Sequence, residues 1–511
     1  MDSVKIIENG FVVTCDSADH AGYFAILVKG DRIVELNAGS AGLRARYPNA
    51  EIVDAAEKAI FPGFVDAHYH GESFALRTWT AGMVMSRWQK QPDIRGVFSY
   101  MYRDASKDEL VPMYRAAYFT ALKAGVTTLS EFGFDHLDIP LAAAREALKR
   151  SDLKGYVGIH NSEQMDYARA DSTTGPRSTL VLAGEEDLTL YNLQTTIRLA
   201  GELKWPIVSH LGETRQGHET VRRNFNRSIP RILDEFRVLQ HPVQLTHVGP
   251  LEETDLQILA NLRIPVVVNP VSLFSKQTDH PPLAAFLAHD IPVALGSDWG
   301  VPDPFENMRQ VSRLTGEGEI DPLQVVRMHT INGARALHMH EETGSIEAGK
   351  KADMTFVDIA DSRHVLPVAF GDAVRFLRNV IQGSSSGSVS DVMINGEFFL
   401  RKGQIMTYAE EDLKREYREA MKGLLDTVKS GAQVGFAGGP GTPILRLRQE
   451  SGIEDESRTG SESFDEGFRI IGTTGSLAQR SDDARPKEQQ RDPSPQELPK
   501  TVRRTFGEDD F

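Results

Sequence analysis

The chain of 511 residues contains a single cysteine, Cys15. Intramolecular disulfides and thiolate metal clusters are therefore excluded. No apolar run is long enough to cross a bilayer. The first residues, Met1-Asp-Ser-Val-Lys5, lack the charged-then-apolar order of a secretory signal. Excess positive charge is also missing: 57 Lys and Arg stand against 72 Asp and Glu, a formal net charge of −15. Nucleic-acid binders carry a basic footprint, so neither nucleic acid nor membrane is expected as a partner. A cytoplasmic protein is the expectation these absences leave. The remaining composition, 40% hydrophobic and 25% charged, is ordinary for a soluble globular chain. Its length allows a large core and more than one domain.

Present instead is a set of metal-binding residue types at the ends of apolar segments. His68 and His70 end Phe61-Pro-Gly-Phe-Val-Asp-Ala-His-Tyr-His70. His210 ends Ile207-Val-Ser-His210, with Glu213 three residues on, and His247 ends Gln244-Leu-Thr-His247. Asp298 and Trp299 follow Pro292-Val-Ala-Leu-Gly-Ser297. Each segment reads as a short strand stopping at a polar residue. Residues two apart on a strand share a face, so His68 and His70 can reach one ion. Imidazoles plus one carboxylate bind a divalent metal and leave a position open for water. Barrel enzymes do their chemistry at such strand ends, which points to a metal-dependent hydrolase.

The ends of the chain read differently from its middle. Val4–Thr14 has a turn at Asn9-Gly10, a hairpin signal. Phe24–Glu35 turns at Lys29-Gly-Asp31, and Val389–Leu400 turns at Asn395-Gly396. These segments predict one β-sandwich built from both ends, residues 1–62 and 346–405. Between them, residues 63–345 alternate apolar strands with helical stretches such as Leu110–Ala124, Leu190–Lys204 and Glu253–Leu262. That alternation implies a parallel sheet and predicts a (β/α)8 TIM barrel. A helix is expected over 406–430. Residues 431–511 turn rich in Gly, Ser, Pro and charge, with Gly435–Pro443 reading as a linker. That composition buries too little surface to offset ordering entropy, so a disordered tail is expected.

Taken in order, these motifs resemble the metal-dependent amidohydrolase superfamily over roughly residues 4–405. The resemblance is to the branch of aminohydrolases and chlorohydrolases that act on purine-like, pyrimidine and s-triazine rings. It rests on Pro62–His70, on His210-Leu-Gly-Glu213, on Thr246-His247 and on Gly296-Ser-Asp298. Asn332–Leu337 and Gly344–Asp353 match the exit back to the sandwich. Two features of that branch are not matched. No Pro-His pair precedes His210 near the fourth strand, and Asn269-Pro-Val-Ser272 continues with Leu273-Phe274.

The resemblance implies hydrolysis of C–N bonds other than peptide bonds, here deamination of a nitrogen heterocycle by a metal-bound hydroxide. His68, His70, His210 and Asp298 would hold one divalent ion, zinc or else iron. Glu213 would shuttle the proton, His247 would hold the nucleophile or stabilise charge, and Asp298 would accept the water proton. His247 would become a ligand if a second ion bound. The fourth strand, near Ser178–Ala183, lacks the lysine that binuclear cyclic-amide hydrolases use. Arg77 and Trp88 are candidates for substrate contact, and Trp299 for the pocket wall. His160 and Glu163 are read as polar loop residues beside the site. A homo-oligomer, dimer or larger, is expected. Two rivals remain: an amide or cyclic-amide hydrolase on the same scaffold, and a catalytically inactive amidohydrolase-like scaffold.

Overall fold

A computed structural model describes residues 3–80, 83–84, 87, 91–133, 138–160, 176–182, 184, 188–213, 215–276, 281–315, 320–360, 373–429, 433–436 and 445–448. Eight strands follow one another in a parallel sheet: β8 (Phe64–Tyr69), β9 (Val126–Glu131), β10 (Lys154–Ile159) and β11 (Arg177–Leu182), then β12 (Ile207–Leu211), β13 (Val243–His247), β14 (Val266–Val268) and β15 (Val293–Leu295). Their residues are almost all buried, which is why the strands read as apolar runs rather than as alternating patterns. Helices lie between them, so the expected (β/α)8 barrel is the observed architecture. The first and last strands meet through the chain around Asp298. Its N–H donates to the His68 carbonyl at 2.9 Å, and its own carbonyl accepts from His70 N–H at 3.2 Å. Ser297 N–H donates to Oδ1 of Asp66 at 2.9 Å, tying the same two strands together.

Local signals start the helices where the barrel needs them. Ser106 and Glu109 form a reciprocal capping box ahead of the helix Lys107–Lys123. Thr189 caps Leu190–Leu203, and Asp303 and Asp321 cap helices that begin with Pro304 and Pro322. Between β12 and β13 the chain forms two helices, Arg215–Phe225 and Ile229–Glu235.

Two sheets from the chain ends share one core that includes Ile7, Ile26, Ile60, Met354 and Met393. One has β5 (Arg32–Asn37), β4 (Ala25–Lys29), β1 (Val4–Glu8) and β6 (Glu51–Asp54) in that order. The other runs β19 (Gln404–Ile405), β18 (Glu397–Arg401), β17 (Val389–Ile394), β16 (Met354–Asp358), β7 (Lys58–Pro62), β2 (Phe11–Val13), β3 (Ala21–Tyr23). The chain thus enters and leaves the barrel through neighbours, since β7 pairs antiparallel with β16.

The Asn9-Gly10 signal needs correction. The turn exists, with Asn9 left-handed at φ 65°, but β1 and β2 do not pair. They belong to opposite sheets, so the turn carries the chain across the sandwich. A Cβ on Gly10 would lie 2.6 Å from Ile60, so the crossing point has no room for a side chain. Nor is the N-terminal unit wholly antiparallel, because β1 runs parallel to β6. The signals at 29–31 and 395–396 do make hairpins.

The expected C-terminal helix is Glu410–Lys429. Beyond it, Gln433–Phe436 and Leu445–Arg448 pair antiparallel across the segment read as linker and tail. The rest of the expected disordered tail lies outside the described residues. Among the described residues, no helix is long and apolar enough to cross a membrane.

Candidate active site

Strand β8 places Asp66 and His68 on one face, and His70 follows directly past its end. His210 arrives from β12 and His247 from β13. A glycine lets the Asp298 segment close on them. A Cβ at Gly296 would lie 2.4 Å from Oδ1 of Asn269 and 2.7 Å from the His68 carbonyl. Two of the strand ends carry left-handed backbone: His247 at φ 73° with Val248 at φ 38°, and Asp298 at φ 49°. For a β-branched residue such as Val248 this is a strained conformation, of the kind that surrounding structure must hold in place.

The side chains converge. Oδ1 of Asp298 lies 3.7 Å from Nε2 of His68 and 3.6 Å from Nε2 of His70. Nε2 of His247 is 3.1 Å from Nε2 of His210 and 3.9 Å from Oδ2 of Asp298. Ligand atoms of His68, His210, His247 and Asp298 all fall within 4.8 Å of one another. Donors that each sit about 2 Å from one ion are spaced on this scale. All of these residues are buried. Nε2 of His68 and Oδ1 of Asp298 have no hydrogen-bond partner among the described residues. Buried polar atoms left this way are costly unless something binds them. The donor set, neutral imidazoles and one carboxylate, suits a divalent transition ion, so the residues fit a metal centre.

The electrostatics agree. Burial pushes the imidazoles of His68, His70 and His247 well below their ordinary pKa, so they stay neutral as ligands must. Burial alone would raise the Asp298 carboxyl, but the Lys276 ammonium together with the surrounding histidines outweighs it and holds the group well below the usual carboxyl range. Nδ1 of His70 is 2.8 Å from Oε1 of Glu72, a carboxyl that orients the ring. Behind it, Glu131 accepts from Gly71 N–H at 2.9 Å and from the Tyr118 hydroxyl at 3.0 Å. Burial raises Glu131 to about 7, and burial with the Glu131 charge raises Glu72 well above the usual carboxyl range.

Glu213 is buried beside this centre, its Oε2 3.9 Å from Nδ1 of His210. Gly212, left-handed at φ 79°, makes the turn that returns Glu213. A Cβ there would meet the Gly249 carbonyl at 2.6 Å. The Trp299 ring centre lies 5.6 Å from that of His70 and 5.7 Å from that of Phe98.

The other candidates fall differently. Arg77 packs its guanidinium over Phe74 at 4.0 Å, and Phe74 in turn touches Tyr417 of the C-terminal helix. Its described contacts lead to that helix rather than to the imidazoles. Trp88 and Glu163 lie outside the described residues. His160 sits one layer back, its Nε2 2.9 Å from the Phe132 carbonyl.

Several participants escaped the sequence reading. Phe132, just past β9, packs on the rings of His68, His70 and His210 at 5.1–5.4 Å. Glu72 and Glu131 support His70. Ser272 and Lys276, on the helix Pro270–Lys276, both donate to Oδ2 of Asp298, at 2.7 and 2.5 Å. Their spacing of four was the available signal, since it puts both on one helical face.

The description "Amidohydrolase family" matches residues 59–399, more than half of the chain. The chain belongs to the amidohydrolase family. Its barrel, with the strand-end histidines and Asp298, lies within the matched residues. A 5-methylthioadenosine/S-adenosylhomocysteine deaminase of Moorella thermoacetica is 24% identical over 439 residues, covering 82% of this chain and 99% of that protein. A zinc-bound adenosine deaminase structure from Xanthomonas campestris superposes with TM-score 0.72 at 21% identity, covering 82% of this chain and 98% of that one. A guanine deaminase from C. acetobutylicum, with guanine in its active site, superposes with TM-score 0.66 at 16% identity. It covers 78% of this chain and all of that one. The solved structures share the fold of this amidohydrolase.

Proposed function

We propose that this amidohydrolase removes an amino group from a planar nitrogen heterocycle by hydrolysis, using one divalent ion, with zinc the first choice. The observation that carries the reading is the buried convergence of four imidazoles with Asp298, beside the buried carboxylate of Glu213. His68, His70, His210 and Asp298 would hold the ion. Bound there, a divalent ion makes water a competent nucleophile near neutral pH. Glu213 takes the first proton that water gives up and passes it to a ring nitrogen, then carries the second, from the new hydroxyl on the ring carbon, to the departing amine. His247, against both His210 and Asp298, orients the attacking oxygen. Trp299 and Phe132 offer aromatic surface on which a planar ring can lie. Water supplies the oxygen, and ammonia leaves.

The names of the similar proteins, deaminases of purine-like compounds, favour this reading over amide hydrolysis. So does the fourth strand, Arg177-Ser-Thr-Leu-Val-Leu182, which carries no lysine for a binuclear centre. The buried group of His68, His210, His247 and Asp298, able to hold an ion, speaks against the inactive-scaffold reading. The test is a screen of purine, pteridine, pyrimidine and triazine amines for ammonia release, with metal measured on the same sample. About one ion per chain and ammonia from at least one ring class is the expected result. Metal-replete protein that frees a carboxylate from cyclic amides, and no ammonia from any amine, would replace deamination by the rival.

A further inference from the structure

Lys276 is an ammonium group in the interior of the site, 7% exposed. It ends the helix Pro270–Lys276, which follows the seventh barrel strand. Nζ donates to Oδ2 of Asp298 at 2.5 Å and to Oε1 of Glu213 at 2.9 Å. One cation thus bridges the carboxylate at the metal centre and the carboxylate assigned to proton transfer. One turn earlier on the same face, the Ser272 hydroxyl donates to the same Oδ2 at 2.7 Å. The two oxygens of Asp298 therefore have different surroundings. Oδ2 accepts two hydrogen bonds, one charge-assisted, whereas Oδ1 accepts none and faces His68 and His70.

We propose that Lys276, with Ser272, is a positioning residue that holds Oδ2 of Asp298 so that the carboxylate meets the metal ion through Oδ1 alone, and that locks Glu213 in register with it. A carboxylate with both oxygens free can swing to grip an ion with two. Engaging Oδ2 from the other side prevents that swing and keeps a coordination position for water. It also redirects one role expected from the sequence. With two donors on Oδ2, Asp298 is poorly placed to take the water proton, and the work falls to Glu213. A buried ammonium without partners would be costly, so lysine here is matched to two carboxylates rather than to one.

This inference rests on the metal-centre reading, and cobalt separates the two. Wild-type protein and Lys276→Met are each stripped and reloaded with Co2+, and the visible absorption per bound cobalt is compared. Methionine keeps the length of the side chain and removes the charge and the donors. The expected result is one cobalt in each, with loss of visible intensity in Lys276→Met as Asp298 closes on the ion with both oxygens and the coordination number rises. If Lys276→Met does not fold, Ser272→Ala, which removes the other donor to Oδ2, is read in the same way with the same expectation. Identical spectra at equal cobalt content would overturn the role of Lys276 and leave the metal centre standing. Failure of the wild-type protein to take up cobalt would overturn both.

Discussion

At the scale of single residues, Glu213 and His329 show how burial can serve either chemistry or the fold. Glu213→Gln is nearly isosteric and keeps an acceptor for Lys276, so packing and metal content should survive. It cannot take a proton from water. Turnover on an amine substrate should fall by about 10²–10⁴, the usual contribution of a general acid–base residue. A halide leaving group needs no proton and should suffer less. Near-wild-type turnover of ammonia would remove Glu213 from the mechanism. His329 lies outside the metal cluster, its Nδ1 donating to the Val65 carbonyl at 3.0 Å, and burial lowers its pKa to about 4. In the unfolded chain a histidine takes its proton at about pH 6.5. As pH falls from there toward about 4, the unfolded state gains a proton the native state refuses, so stability drops across that window and levels off below it. The whole effect is about 3 kcal/mol. His329→Asn keeps a donor for Val65 and does not titrate. Denaturant unfolding at several pH values should therefore show the wild type losing more stability than the variant below pH ~6.5, and parallel curves would contradict it. The proposed ligand residues were legible because they stand at or near the ends of apolar runs, a local signal. Lys276 was not, because its meaning depends on Asp298 and Glu213, neighbours that only the closed barrel supplies.

Elements were legible where a segment's own period decides its structure, and illegible where partners decide. The C-terminal helix is the clear case: Leu413, Tyr417, Met421 and Leu424 recur at helical spacing and form the face that packs on Lys107–Lys123 and Pro92–Arg103. Asn9-Gly10 is the opposite case. Its composition specifies a turn, but which sheet each flanking strand joins depends on Ile60 and Asp54, far along the chain. The pair Gln433–Phe436 and Leu445–Arg448 was hidden by a Gly- and Pro-rich connection that reads as linker. The helix face gives a direct test of what holds this element. Leu424 is 1% exposed, so Leu424→Ala should cost about 2–5 kcal/mol, the range for buried leucines. Glu202, in an exposed pair with Arg198 at 3.0 Å, should change stability by less than about 1 kcal/mol when replaced by Gln. Chemical denaturation of both variants checks the ranking. A loss under about 1 kcal/mol for Leu424→Ala would mean that the C-terminal helix is held by its charges, such as Glu416 on Arg115, rather than by its apolar face.

At the scale of the whole chain, the barrel and the sandwich are coupled through the strands that join them. Strand β7 leads straight into β8, and β16 returns to pair with β7. The Thr355 hydroxyl donates to the Gly125 carbonyl, and Lys154 on the third barrel strand pairs with Asp353 at 2.5 Å. The proposed metal centre hangs from that joint, since the strand that bears His68 and leads into His70 begins two residues after β7 ends. Everything the proposed chemistry needs lies before residue 300. The strands after that point complete the sandwich, and the helix Glu410–Lys429 covers the barrel's helices. Residues 449–511 stand apart from this economy by composition. Ser, Gly, Pro and charged residues dominate there, the composition from which a dispensable tail is expected. A chain ending at Arg448 keeps every strand and helix described above. It should bind the same metal per chain, melt within a few degrees of the full chain (a loss of ~1 kcal/mol or less), and turn over substrate at the same rate. Thermal melts, metal content and ammonia release on the two proteins side by side decide the matter. A truncated chain that aggregates, or melts far lower with its metal still bound, would show that the terminal segment packs on the fold. Intact melting with lost turnover would instead place part of that segment at the mouth of the site.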